Sequence, residues 1–387
     1  MISVKLDQNR TKSSSISQIL LEMLEMKVPY YLSIIVQITM EISPKFVEIA
    51  EKVNGILSFF TLSLLLILII FKSPHRLGTY KYLMIYLSIF ELFYAILMVL
   101  SPSQVYTMDS AFLVAMDGNV TFGNYYEVAN VLYFTMFGTS LANFGVHFIY
   151  RYFAITGNKS WTQTTPSKVI IWIASPLALG FLYTLTIIKF WAKTKTTEEF
   201  LRTRILNNTS TENLSFIGFC IFGIGQNGES YVNWHSIIGV VAVSTIITIS
   251  IAIMLYFGIR CYTEIRNLTN ISTVSENYRS IQNQLFMALV IQTAIPLVLM
   301  HLPSTVIAIT CFLDCAPRAL GQVTALFVSL YPVLDPLPNI FIIKSYRRAF
   351  LGWILRWKKE TPQSNYSVSN SFSPVAKNAV SALNVNQ

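Results

Sequence analysis

The sequence predicts an all-α membrane protein, a seven-transmembrane helix bundle followed by a cytoplasmic amphipathic helix. Three features predict it: the composition, a series of seven long apolar segments, and the uneven distribution of Lys and Arg between them. Of the 387 residues, 53% are hydrophobic and only 12% are charged. Because a soluble domain usually carries about 25% charged residues, a large soluble protein is disfavoured, and the charges must lie in short connections.

Each of the seven apolar segments is long enough to cross a bilayer, which takes roughly 20 residues. They cover approximately residues 53–71, 82–100, 128–150, 169–188, 236–257, 285–312 and 320–343. An odd number of spans puts the two ends of the chain on opposite sides of the membrane.

The loops on the two sides of the predicted bundle differ in charge. Lys and Arg collect in the first, third and fifth connections and after the last span, whereas connection 101–127 has three acidic residues and no Lys or Arg. Because cytoplasmic loops are rich in Lys and Arg, we expect the amino terminus outside and the carboxyl terminus in the cytoplasm. The net charge of +9 therefore reflects membrane orientation, and we expect no nucleic-acid partner.

The predicted bundle covers residues 49–343 and is flanked by three further segments. Residues 1–48 are expected to be an extracellular amino-terminal segment, and residues 361–387 a disordered cytoplasmic tail. Between them and the bundle, residues 344–360 place apolar side chains at helical spacing opposite Lys and Arg. This pattern is typical of an amphipathic helix lying on an anionic membrane surface.

The predicted outer loops carry glycosylation sequons and most of the cysteines. Such sequons are acceptors in surface loops, and the acceptor residues here are Asn119, Asn207, Asn208 and Asn213. Cys220, Cys311 and Cys315 also fall on the outer side. The sequence leaves open whether any two of these cysteines pair.

Two acidic residues lie deep inside predicted spans. Glu91 in the second span and Asp335 in the seventh fall at similar depths, and no Lys or Arg lies at that level. Because charge is costly in the bilayer core, we expect these carboxyl groups either to hold at least one proton or to share a bound cation. Pro336, Pro338 and Asn339 follow Asp335 and predict an irregular seventh helix, since proline removes a backbone hydrogen bond.

The third span carries a polar stripe that ends at the cytoplasm. Asn143, His147 and Arg151 recur every four residues and therefore lie on one face of a helix. Such residues also serve as hydrogen-bonding contacts between helices in any membrane bundle, and an arginine at the membrane surface can simply extend into water.

Three stretches resemble one receptor family. They are Ile89-Phe90-Glu91, His147-Phe148-Ile149-Tyr150-Arg151-Tyr152-Phe153-Ala154, and Pro332-Val333-Leu334-Asp335-Pro336-Leu337-Pro338-Asn339 continuing to Tyr346-Arg347. The chain from about residue 44 to residue 350 resembles the nematode seven-transmembrane chemoreceptors of the Str class, serpentine odorant receptors that include the diacetyl receptor.

The resemblance implies a G-protein-coupled chemosensory receptor in the plasma membrane of a sensory cilium. Its partners would be a small odorant, a heterotrimeric G protein and the lipid bilayer. Arg151 would take the place of the arginine that faces the G protein, although Tyr150 stands where an acidic neighbour is usual. The run from Asp335 to Asn339 resembles the irregular seventh-helix switch, and Tyr346 follows it.

We expect the ligand to bind in the outer half of the bundle, between helices. The candidate lining residues are Tyr94, Tyr133, Met136, Phe137, Ser244, Thr245, His301, Thr324, Phe327 and Tyr331. Each of them is equally compatible with packing in the bundle core. Their aromatic and methionine content suits a small apolar molecule with one or two hydrogen-bond acceptors.

The main alternative is a ligand-gated channel or small-molecule transporter with seven spans. A transporter favours internal repeats and a charged pathway, and the sequence shows neither. A retinal-binding protein is disfavoured because the seventh span has no lysine, and the four histidines lie in different loops or depths. We therefore expect no enzyme activity, no metal site and no cofactor.

Overall fold

A computed structural model of the protein describes residues 43–74, 77–101, 104–116, 125–162, 165–200, 215–224, 229–269 and 275–360. Most of the predicted amino-terminal segment, the carboxyl-terminal tail and the four sequon asparagines Asn119, Asn207, Asn208 and Asn213 lie outside these residues. The predictions made for them therefore stay predictions.

In the described part of the chain, seven long helices form the bundle, in agreement with the seven apolar segments. We number them as the first to seventh spans in chain order. Their bounds are Pro44–Lys72, Tyr80–Leu100, Tyr125–Ile155, Pro166–Trp191, Trp234–Thr269, Glu276–Phe312 and Arg318–Ile342. All except the third are long and apolar enough to cross a membrane by length and composition alone.

The third span is less apolar than the other six because it occupies the centre of the bundle. From Ala129 to Tyr150 its side chains are buried or half-buried on every face. A helix without a lipid-facing surface can carry glycine, serine, asparagine and histidine, provided that these polar groups find partners on neighbouring helices. Its lower hydropathy is therefore a consequence of its central position.

Prolines interrupt the sixth and seventh spans near the middle of the bundle. In the sixth span Pro296 is followed by one turn of π-helix, Leu297–His301, before the α-helix resumes at Leu302. In the seventh span the helix breaks at Asp335 and restarts at Pro336. Proline removes a backbone donor and crowds the preceding turn, which explains both irregularities and confirms the irregular seventh helix.

The loops at one end of the bundle form β-structure that the sequence reading missed. Strands β1 (Gln104–Met108), β2 (Ala111–Met116) and β3 (Ser215–Cys220) make an antiparallel sheet in the order β1-β2-β3. Strands β4 (Phe222–Ile224) and β5 (Ser230–Val232) make a separate hairpin. We call this end of the bundle the sheet end.

The opposite end, which we call the Arg151 end, carries the helix Lys344–Glu360. This helix is attached to the bundle by two hydrogen bonds: the hydroxyl groups of Tyr346 and Ser73 lie 2.7 Å apart, and the Lys344 backbone N–H donates to Gln284 Oε1. Two short helices, Lys159–Thr162 and Lys195–Phe200, lie in connections.

Close packing between the third and fourth spans depends on a glycine, which gives a first prediction. A Cβ at Gly180 would overlap the Thr139 hydroxyl and lie 3.0 Å from Thr139 Cβ, whereas a Cβ at Gly145 would meet only Ile253 Cγ2, at 3.8 Å. We expect Gly180→Ala to destabilise the receptor by about 1–3 kcal/mol through overpacking. Gly145→Ala, the matched control, should stabilise it by about 0.5–1 kcal/mol through helix propensity.

Thermal unfolding of the two purified variants in the same detergent checks this. Equal unfolding temperatures for the two alanine variants would contradict the close packing of the third and fourth spans.

Candidate functional site

A cavity of about 280 Å³ lies between the spans near the sheet end. The third, fourth, fifth, sixth and seventh spans contribute to its wall, and strands β1, β2 and β3 close it at the sheet end through Val105, Phe112, Val114 and Phe219. An engineered apolar cavity of about 150 Å³ holds benzene, so this cavity has room for a small organic molecule.

The structure brings half of the predicted ligand-binding residues to this cavity. Those that line it are Tyr133, Phe137, Ser244, His301 and Thr324. Phe327 does not, because its side chain is 40% exposed on the outer face of the seventh span. Thr245 also faces outward, into a shallow groove on the bundle surface. Met136 is buried in the core without lining the cavity.

His301 provides the main polar group of the cavity wall. Its Nε2 lies 3.3 Å from the Ser140 hydroxyl, and its ring lies 4.8 Å from the Phe137 ring. The other ring nitrogen, Nδ1, is buried without a hydrogen-bond partner among the described residues, and so is Trp191 Nε1 at another part of the wall. Since a buried unpaired polar atom is costly, both atoms are suited to bind a polar group of a ligand.

The rings of three tyrosines lie next to one another in a row from the cavity to the middle of the bundle. Tyr133 lines the cavity and its ring lies 5.9 Å from that of Tyr94, which lies 6.3 Å from that of Tyr331. The Tyr331 hydroxyl donates a hydrogen bond of 3.0 Å to Glu91 Oε1. Tyr94 and Tyr331, predicted as ligand-binding residues, thus connect the cavity to a buried acidic residue without lining the cavity.

The two membrane acids form a pair, as their similar depths predicted. The Glu91 and Asp335 carboxyl groups lie within hydrogen-bonding reach of each other, and both side chains are buried. Gln292 Nε2 donates to Asp335 Oδ2 at 2.6 Å, whereas Asp335 Oδ1 has no donor in the described part of the chain. A contact between two carboxyl oxygens requires a hydrogen or a cation between them, so the arrangement is compatible with both expectations, a shared proton and a shared cation.

Polar contacts continue along the third span toward the Arg151 end. Asn143 Oδ1 accepts a hydrogen bond of 3.1 Å from the Tyr86 hydroxyl, and His147 Nδ1 lies 3.4 Å from the Tyr80 hydroxyl. Asn143 Nδ2 and His147 Nε2 are buried and have no hydrogen-bond partner among the described residues. The predicted stripe therefore contacts the second span through Asn143 and His147, and it ends at Arg151.

Arg151 is buried and does not extend into water. Its guanidinium lies over the Tyr80 ring, 5.1 Å from the centroid, and its Nη2 donates a hydrogen bond of 3.0 Å to the Gln282 backbone carbonyl in the sixth span. Nε has no hydrogen-bond partner among the described residues. The third and sixth spans are thus joined at this end through a carbonyl, and no carboxylate lies within 4 Å of the guanidinium in the described ranges.

The other predicted switch residues lie in the second half of the seventh span and just after it. Pro336, Pro338 and Asn339 are buried in the short helix Pro336–Ile342, and Tyr346 is fully buried against the first span. The seventh span is therefore held at its break by Asp335, and the helix that follows it is held to the end of the first span by Tyr346.

Sequence reasoning missed the residues that the strands and the fourth span contribute to the cavity, above all Phe112, Trp191 and Phe219. These aromatic rings pack together, with ring centroids 4.9 Å apart for Trp191 and Phe219. The alternation of buried and half-buried side chains along β1, which is typical of a strand, is visible only in the structure, so the sequence offered little signal for these residues.

The four cysteines are free thiols in the structure. Cys220 Sγ donates to the Phe222 backbone carbonyl at 2.9 Å, and burial raises the pKa of this thiol to about 11. A buried, protonated thiol is a poor nucleophile, so Cys220 is suited to a packing role in the sheet.

The fold identifies the class of protein. The structure is similar to the crystal structure of squid rhodopsin with a TM-score of 0.55, covering 82% of this chain and 88% of the rhodopsin chain at 11% sequence identity. At this identity the likeness concerns the fold alone. The chain thus has the seven-transmembrane helix fold, and six of its described helices are apolar enough to cross a membrane.

Sequence comparisons identify the family. Residues 47–351 match the family described as serpentine type 7TM GPCR chemoreceptor Str. G-protein coupled receptor str-217 of Caenorhabditis elegans is 32% identical over 333 residues, which cover 83% of this chain and 94% of that protein. Serpentine receptor class r-10 of the same organism is 29% identical over 334 residues, covering 83% and 95%. The chain belongs to the Str family of serpentine G-protein-coupled chemoreceptors, which is a family of receptors and not of enzymes.

Proposed function

We propose that the protein is an olfactory receptor that binds a small odorant in the cavity and activates a heterotrimeric G protein at the Arg151 end. The observation that supports this best is the cavity itself. It is lined by aromatic and aliphatic side chains, and two buried nitrogens of its lining residues, His301 Nδ1 and Trp191 Nε1, have no hydrogen-bond partner among the described residues. An apolar pocket with a few convergent polar groups is the usual form of a small-molecule site.

The ligand that fits this wall is small, mostly apolar and able to accept a hydrogen bond. The Trp191 indole N–H is a donor only, whereas His301 Nδ1 donates or accepts according to its tautomer. A ligand carbonyl or ether oxygen would pair with Trp191 and remove the cost of its buried unpaired N–H. Hydrocarbon alone would fill the cavity but would leave both polar atoms unpaired.

The signal would pass from the cavity to the opposite end along contacts between helices. Ligand contact with Tyr133 acts on Tyr94, Tyr331 and the acid pair, and ligand contact with His301 acts on the sixth span at the last residue of its π-helical turn. The sixth span carries Gln282 at its other end, where the carbonyl holds Arg151. Separation of these two groups would open the Arg151 end to a G protein.

This proposal includes the orientation and location expected from the sequence. The sheet end faces outward, and the Arg151 end with helix Lys344–Glu360 lies in the cytoplasm, because Lys and Arg concentrate there. The receptor resides in the plasma membrane, in a sensory cilium.

Alanine substitutions in the cavity give a second prediction. His301→Ala and Tyr133→Ala are each expected to raise the half-maximal agonist concentration about tenfold or more, which corresponds to about 1.4 kcal/mol of lost binding. Cells expressing the receptor are screened with small volatiles through a G-protein readout, and the agonists found are titrated on each variant at matched surface delivery.

Phe327→Ala is the matched control, because this aromatic side chain lies on the lipid-facing surface of the seventh span. Its agonist potency should be unchanged. Unchanged potency in both cavity variants would exclude the cavity as the ligand site, and an ion current independent of G protein would favour a channel.

A further inference from the structure

The ligand cavity and the shallow groove on the bundle surface share part of their walls. The groove lies between the fifth and sixth spans and contains Thr245, Thr248 and Ile249, which face away from the bundle core. Val240, Ser244 and Phe312 line both the groove and the cavity. The two spaces therefore lie next to each other, on either side of these three side chains.

Several cavity-lining residues are also exposed on the outer face of the bundle. Ile309 is 54% exposed and Phe312 is 39% exposed, although both line the cavity, and Ser244 and Thr305 are exposed as well. Both helices are apolar enough to cross the membrane, so this surface lies against lipid. The cavity is consequently open sideways, toward the bilayer.

The opening has a structural cause in the sixth span. Its segment Leu302–Phe312 packs against the seventh span and against strands β1 and β2, and has no comparable packing on the fifth span. The segment Glu276–Pro296 on the other side of the π-helical turn does pack on the fifth span. The fifth and sixth spans thus separate beyond the π-helical turn, where the cavity begins.

The strands restrict the other approach. Val105 and Val114 are buried where β1 and β2 line the cavity, and Phe219 of β3 is also buried and packs against the Trp191 ring. An apolar sheet in close contact with an aromatic wall favours access from lipid over access from water.

We propose that ligands enter and leave the cavity from the bilayer, through a lateral portal between the fifth and sixth spans whose rim is formed by Val240, Ser244 and Phe312. The inference relies on the proposed function only in identifying the molecule that enters as the agonist. The portal selects uncharged, lipid-soluble molecules, because a charged one would have to cross an apolar rim without water. The bilayer concentrates such molecules in front of the opening.

Thiol labelling of the full-length receptor in phospholipid vesicles tests the portal without a known agonist. Val328 lies in the cavity wall and is buried, so Val328→Cys places a thiol inside. Cys315→Ser removes the exposed native thiol. The probes are N-phenylmaleimide, which is uncharged and enters lipid, and a trimethylammonium methanethiosulfonate, which stays in water. Peptide mass spectrometry measures the labelling rate at position 328.

Thr245→Trp fills the groove without adding atoms to the cavity wall, and is expected to slow labelling by N-phenylmaleimide about fivefold or more, like any added barrier on an entry path. Leu182→Trp is the matched control, since Leu182 faces lipid on the fourth span away from the groove; labelling there should be unchanged. Each reagent's labelling rate is divided by its rate on the unfolded receptor. The resulting ratio should be at least about tenfold lower for the charged reagent than for the uncharged one, because its charge must be desolvated.

Equal labelling with and without Thr245→Trp would overturn the portal. So would labelling by the charged reagent as fast as by the uncharged one, which would indicate entry from water past the strands. A thiol that neither reagent reaches in the folded receptor, but that both label after unfolding, would also overturn it. None of these results depends on whether the protein responds to an odorant.

Discussion

Replacing Arg151 with leucine is expected to reduce G-protein activation strongly while leaving the folded receptor at least as stable as the original. Arg151 is 2% exposed, and its guanidinium is held by the Gln282 carbonyl and the Tyr80 ring, with no carboxylate within 4 Å among the described residues. Burying a charge without an opposite charge is costly. Substituting buried ionic groups by well-packed apolar ones is often neutral or stabilising by about 1–4 kcal/mol.

The loss of function has a separate cause. In our proposal the guanidinium leaves the Gln282 carbonyl and contacts the G protein, and leucine provides no donor for either contact. The purified full-length protein is compared with Arg151→Leu by thermal unfolding and by agonist-dependent nucleotide exchange on a reconstituted G protein. Exchange should fall about tenfold or more, which corresponds to about 1.4 kcal/mol or more of lost stabilisation.

The matched control for Arg151 is Arg348→Leu, which removes an exposed arginine at the same end of the bundle. It should change exchange far less than Arg151→Leu does. A clear fall in the unfolding temperature of Arg151→Leu would show that the arginine mainly supports the fold, and normal exchange would remove it from the signalling contact.

The seven spans could be predicted because the bilayer imposes a strong and simple constraint. A helix must bury about 20 apolar residues to cross it, and six of the spans meet this criterion unaided. The third span was predicted from its apolar run of sufficient length, although several polar side chains lower its hydropathy. The strands β1, β2 and β3 were not predicted, since short paired segments in loops carry little periodic signal and their pairing partners lie far apart in sequence.

The candidate site shows the same limit at the level of single residues. Helical periodicity places Thr324 and Phe327 three residues apart on neighbouring positions of one helix, yet the first lines the cavity and the second faces lipid. Which edge of an apolar helix faces its neighbours depends on helix packing, and in an all-apolar environment the sequence marks that edge weakly. The buried contacts of the ionisable residues were predicted better, because an ionisable side chain inside the membrane must face a polar partner within the bundle.

The acid pair gives the last prediction. Glu91 and Asp335 lie within hydrogen-bonding reach, with Tyr331 and Gln292 as their donors. If the carboxyl groups share one proton, the pair carries one negative charge. In Glu91→Gln or Asp335→Asn, the amide N–H replaces the shared proton and the charge remains, so each single variant should unfold at nearly the original temperature.

The double variant removes the last buried charge while keeping the shape of both side chains. We expect the free energy of unfolding of the double variant to exceed the value given by adding the two single effects by about 1–3 kcal/mol, the range of coupling found for residues in contact.

Thermal unfolding of the four purified proteins at one pH gives the coupling directly. A parallel cycle of Glu91→Gln with Glu264→Gln is the control, because Glu264 lies in the fifth span near the Arg151 end and its effect should add to within about 0.5 kcal/mol. Additive effects of Glu91→Gln and Asp335→Asn would mean that the two acids are stabilised separately by Tyr331 and Gln292, and that no proton joins them.

A coupled pair, by contrast, connects the second span to the seventh at the break in the helix, between the cavity and Arg151. In that case ligand contacts relayed through Tyr331 would change the packing of the seventh span by moving a single proton.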